Sequence, residues 1–131
     1  MEVVTGILRW LLISLRIIPK PDLLACIVPD HPAPESMKPG WLYVVGADGY
    51  RKWAYFRCPA DHDEIIQLSL MPQRRPRWEV RVDLLGRPTI HPSVWQLEGS
   101  HAHFWVKQGR VEWCADTPSL QRGKAVVQQY D

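Results

Sequence analysis

A mainly β fold, a compact antiparallel β-meander or small sheet with one N-terminal amphipathic helix, follows from three features of this sequence. Short apolar or alternating runs recur along the chain, each bounded by glycine, proline or aspartate. Twelve prolines keep strands short and connections stiff, while seven tryptophans supply large apolar anchors. One stretch alone, residues 3–18, carries long aliphatic residues at helical spacing.

In that first stretch Glu2, Thr5, Arg9 and Arg16 share a narrow polar stripe, with Trp10, Leu11, Leu15 and Ile18 elsewhere. Sixteen residues with two arginines are too short and too charged to span a bilayer comfortably. No small-residue cleavage site precedes Pro19 and Pro21, which argues against a secretory signal. The helix is expected to pack on its own domain, to meet a second copy or another protein, or to lie on a membrane surface.

Pro19-Lys20-Pro21 breaks the helix, and residues 23–28 read as the first strand. Four prolines make 29–40 an extended loop. Strands are expected at 41–46, 52–57 and 64–70, the first two joined by a turn at Ala47-Asp48-Gly49. After a proline-bounded loop, 77–83 alternates Trp78, Val80 and Val82 with Arg77, Glu79 and Arg81, as a half-buried strand does. The turn Leu85-Gly86-Arg87-Pro88 leads into an extended segment at 89–96, interrupted by Pro92. Residues 103–107 and 110–113 form a hairpin about Gln108-Gly109. The expected organisation is a helix over 1–18, a metal-binding β domain over 19–117 and a polar tail over 118–131.

At 131 residues one core is feasible. A net charge of +2, with Arg74, Arg75 and Arg77 as the densest cationic run, does not form the basic stripe of a nucleic-acid surface. Three widely spaced cysteines, Cys26, Cys58 and Cys114, do not suit a disulfide scaffold and point to a reducing cytoplasm.

The candidate chemistry lies between residues 58 and 114, which hold four of the five histidines and two of the three cysteines. Cys58 and His62 share the turn C-P-A-D-H, and His101 and His103 are two apart at a strand start. His91 precedes a proline, and Cys114 closes the last strand. Imidazole and thiolate are ligands that Zn2+ prefers; four make a closed structural site, three plus water an open one. Cys58, His62, His91 and His103 are the expected ligands, with His101, Glu64 and Cys114 as alternates. His31 and Cys26 stand outside this set. Asp61, Asp63 and Glu64 lie close enough in sequence to act as a base toward a metal-bound water. Ser93 and Ser100 qualify as nucleophiles only where a base stands adjacent.

The order F-x-C-P, a W-x-V strand, H-P-S-V-W and S-x-x-H-F-W-V-x-x-G-R-V-x-W resembles a family of small bacterial proteins. These are encoded beside ubiquitin-like conjugation genes (E1-like, E2-like, ubiquitin-like and JAB-type peptidase proteins), and one branch is named CEHH for its Cys-Glu-His-His pattern. The resemblance covers about residues 23–114 and is sharpest over 91–113. Many of these relatives carry C-P-C-G-C where this chain has Cys58-Pro59-Ala60-Asp61-His62, and cysteine where it has Ser100. Cys58, His62 and His103 therefore carry over to the metal pattern; His91, His101 or Glu64 would supply the remaining ligand, with Glu79 and Glu98 further away in pattern.

The resemblance implies a zinc-binding accessory or adaptor protein of a bacterial ubiquitin-like conjugation system, in antiphage defence. Its partners would be the E1-like, E2-like or ubiquitin-like proteins of the same operon. The alternative is a zinc-dependent hydrolase or transferase acting on the modifier or its conjugates. A third expectation is a metal-free β domain working through its helix, by self-association or by peripheral contact with the inner membrane.

Overall fold

The computed structural model describes residues 2–47, 49–97 and 99–115. Asp48, Glu98 and the expected tail at 118–131 lie outside the described residues. Helix α1 (Glu2–Ser14) precedes β1 (Leu24–Val28), β2 (Trp41–Ala47), β3 (Tyr50–Arg57) and β4 (Ile65–Ser69). The second half contains β5 (Glu79–Val82), β6 (Pro88–Trp95), β7 (His103–Lys107) and β8 (Arg110–Trp113).

The strands form two four-stranded sheets, each in chain order: β1-β2-β3-β4 and β5-β6-β7-β8. Every pairing is antiparallel except β1 with β2, which run parallel with Leu24 opposite Trp41. The proline-rich stretch 29–40 makes this possible, because a parallel partner needs a crossover of about a dozen residues where a hairpin needs two. That crossover lies close to β3 and the following turn. Arg57 donates from Nε to Met37 O at 2.7 Å, from Nη2 to Pro34 O at 2.5 Å and from Nη1 to His62 O at 2.8 Å.

Strand alternation places one apolar face of each sheet inward. Leu42, Val44, Ala54, Phe56, Ile66 and Leu68 from the first sheet meet Val80, Ile90, Val94, Phe104 and Val106 from the second in one cluster. Phe56 and Phe104 cross edge-to-face at 6.1 Å and 87°, an arrangement aromatic rings favour. At the Gln108-Gly109 hairpin, Gly109 has φ +78°, and a Cβ there would meet Leu23 O at 2.8 Å. Glycine is what lets this turn approach the chain ahead of β1, where Asp22 and Leu23 both donate to Gly109 O.

Helix α1 is attached through its polar stripe. Arg9 Nη1 donates to Leu85 O at 2.6 Å, and Thr5 and Arg9 line a cavity of about 690 Å3 with Cys26, Trp41, Tyr43 and Gly86. Val4, Ile7, Leu8, Trp10 and Leu11 remain exposed, as do Leu15 and Ile17 beyond its end. Among the described residues no helix is long and apolar enough to cross a membrane.

Candidate active site

Val94 and Phe104 are opposite each other and point into the core. Their chain neighbours Ser93, Trp95, His103 and Trp105 therefore project from the other face of the second sheet. Trp95 lies directly opposite His103, but the register shifts between Ile90 and Val94. Ile90 pairs with Val106 and Val94 with Phe104, so His91, Pro92 and Ser93 face Trp105 alone. Surplus residues of this kind leave the ladder, bend the strand and re-aim a side chain.

Ser93 is one of these surplus residues. Its Oγ lies 3.0 Å from His103 Nε2, within hydrogen-bond reach of a general base. The Ser93 carbonyl, outside the regular ladder pairs, accepts a bond from Trp78 Nε1 at 3.1 Å. The His103 ring is stacked on the Trp95 indole, with centroids 4.7 Å apart and planes 11° from parallel. Its main-chain carbonyl accepts from Cys114 N at 2.8 Å, which ties β7 to the end of β8. A serine hydroxyl against an imidazole nitrogen is the arrangement that makes an otherwise weak nucleophile competent for acyl transfer.

Ser100 has a different environment. Its hydroxyl donates to Glu64 Oε1 and its N–H to Glu64 Oε2, both at 2.7 Å. The Cys58 thiol, fully buried, lies 3.6 Å from the same hydroxyl. Gly99, at φ +63°, completes this clip because a Cβ there would overlap the Glu64 carboxylate. The carboxylate thus joins the turn after β3 to the loop before β7, using two charge-assisted bonds.

The other expected ligands are distributed around the molecule. His62 is exposed, with its carbonyl held by Arg57, and lines a cavity of about 310 Å3 with Asp22, Pro59 and Trp113. His91 is exposed opposite Glu79, 6.0 Å from the Trp105 ring, and lines a cleft with Arg81 and Thr89. His101 adopts φ +56° in the loop after Ser100. Asp61 Oδ1 accepts from Asp63 N in an exposed turn. Among the described residues no three His, Cys, Asp or Glu side chains are grouped so as to hold a metal ion. As placed, the Cys58 and His103 side chains of the expected set face different serines. The Cys58 thiol faces Ser100 and the His103 Nε2 faces Ser93. Cys58 and Glu64 do converge, through Ser100.

The roles of Trp78 and Trp95 did not follow from the sequence pattern. The signal was present in part: in H-P-S-V-W, Ser93 and Trp95 flank an inward valine and so share a face. Burial raises the Tyr55 phenol above its ordinary value on the first sheet, where its hydroxyl bonds to His31 Nδ1 and accepts from Gln67 Nε2 at 3.0 Å.

Comparison with curated proteins and with solved structures returned no match. Residues 29–114 match the family described as bacterial ubiquitination-like system serine protease (BubE). The match agrees with the conjugation system that the sequence resemblance pointed to, and its description carries a serine protease in place of a metal-binding protein. It runs from the proline-rich crossover through β2 to β8 and Cys114, including Ser93 and His103, and on that extent the chain belongs to the BubE family of bacterial ubiquitination-like systems.

Proposed function

We propose that this protein is a serine hydrolase that cleaves an amide bond in the ubiquitin-like modifier of its system, or in a conjugate of that modifier. The observation that carries the reading is the 3.0 Å approach of Ser93 Oγ to His103 Nε2. The family's description as a serine protease supports the same reaction class. Ser93 Oγ attacks the carbonyl carbon while its proton passes to His103 Nε2. The C–N bond then breaks, the leaving amine takes that proton, and the acyl group remains on Ser93 as an ester. Water attacks the ester with the same imidazole as base, releasing a carboxylate and restoring the hydroxyl.

The adaptor role expected from the sequence becomes, in this reading, the way the enzyme is delivered to its substrate. The exposed apolar side of α1 is the surface proposed to meet proteins of the same system. The two activities separate experimentally. Ser93→Ala and His103→Gln are each expected to lower turnover by about 10³-fold or more, as removal of a nucleophile or its base does. Binding of the modifier should persist. Fluorophosphonate labelling followed by mass spectrometry should place the adduct on Ser93; labelling that persists in Ser93→Ala overturns the assignment.

A further inference from the structure

We infer that Trp95 is a positioning residue for the catalytic base, a role that rests on the Ser93–His103 reading. Trp95 is 55% exposed, a costly place for a large apolar side chain unless it serves a contact. Its indole lies almost parallel to the His103 imidazole at 4.7 Å, from the position directly across the ladder. Cross-strand pairs of this kind restrict each other's rotamers. Here the restricted torsion is the one that decides whether Nε2 faces Ser93 or turns away. The stack also acts on charge: once His103 takes the serine proton, the imidazolium lies against the electron-rich face of an indole.

The nucleophile is held by a separate tryptophan. Ser93 falls among the surplus residues of β6, outside the register pairs with β7, and the Trp78 indole donates to its carbonyl. Trp78 is half-buried and packed against the core, so it ties Ser93 to the rigid interior. Trp95 therefore orients the base from outside, and Trp78 orients the serine backbone from inside.

The test uses the full chain and two small probes that make no demand on a substrate-binding surface: a fluorophosphonate and p-nitrophenyl acetate. Trp95→Met keeps bulk but removes the π face, whereas Trp95→Phe keeps a π face of smaller area. Trp95→Met is expected to slow Ser93 labelling and kcat for the ester by roughly 10- to 100-fold, with KM unchanged, a partial loss of what a general base contributes. Trp95→Phe should recover most of that loss. Labelling of Trp95→Met at the wild-type rate overturns the inference, as does Trp95→Phe reacting as slowly as Trp95→Met. Should Trp95→Met fail to fold, Trp95→Phe against Trp95→Leu gives the same comparison. Failure of wild-type protein to label at Ser93 overturns the dyad, and this inference with it; normal wild-type labelling with an indifferent Trp95 overturns the inference alone.

Discussion

Ser93 and Ser100 differ in chemistry because each hydroxyl meets a different group. Ser93 faces an imidazole, which can accept its proton and return it, whereas Ser100 donates to the Glu64 carboxylate and stays a structural link. Removing that carboxylate leaves the Ser100 N–H and hydroxyl without their acceptor. Glu64→Ala is expected to cost about 2 kcal/mol, the range for bonds to a charged group, measured by urea unfolding. Glu64→Gln should cost less, because one acceptor oxygen remains. The Tyr55 phenol gives a pH signature distinct from catalysis. Burial raises it above 10.0, so above pH 10 the unfolded chain releases this proton while the folded chain retains it. Stability contributed by Tyr55 is thus complete below pH 10 and falls as pH rises toward the folded value. Thermal unfolding on either side of pH 10 should show that fall, reduced in Tyr55→Phe.

Among elements, β6 and α1 have consequences that their sequences only half express. The surplus residues in β6 change which β7 residue each side chain meets while preserving the inward placement of Ile90 and Val94. Alternation in the sequence shows the faces of such a strand; it carries no mark of how many residues face one partner. That is why Ser93 could be named as a nucleophile without its base, and His103 as a metal ligand without its serine. The α1 pattern was equally legible as amphipathic, yet the tertiary contact uses the polar stripe through Arg9 and leaves aliphatic residues outside. A helix so attached adds little to the core. Removal of residues 2–18 is expected to shift the melting temperature by only a few degrees and leave fluorophosphonate labelling of Ser93 intact, whereas loss of modifier binding would mark α1 as the contact surface.

For the whole molecule, two sheets enclose one core, and the dyad and the Glu64 clip occupy different positions on it. The expected zinc ligands stand beside different neighbours: Cys58 beside Ser100, His103 beside Ser93, His91 beside Trp105, and His62 at a cavity with Trp113. If Ser93 and His103 provide the proton relay as proposed, hydrolysis continues at an unchanged rate in EDTA or 1,10-phenanthroline. Metal analysis alongside the rate assay checks this, and a chelator-dependent rate would return Cys58 and His62 to the centre of the chemistry.

The amino-acid order by itself determined the strands, their apolar faces, the glycine turns and the N-terminal amphipathic helix, because each depends on neighbours only a few residues away. The stretch where its family resemblance is sharpest, 91–113, contains both Ser93 and His103. Tertiary structure decided the parallel pairing of β1 with β2, the carboxylate clip and the partner of each histidine. Those are contacts between distant segments, set by strand register and by which loop crosses which sheet. A side-chain period of two specifies the face a residue takes, and only the assembled ladder specifies what stands across from it.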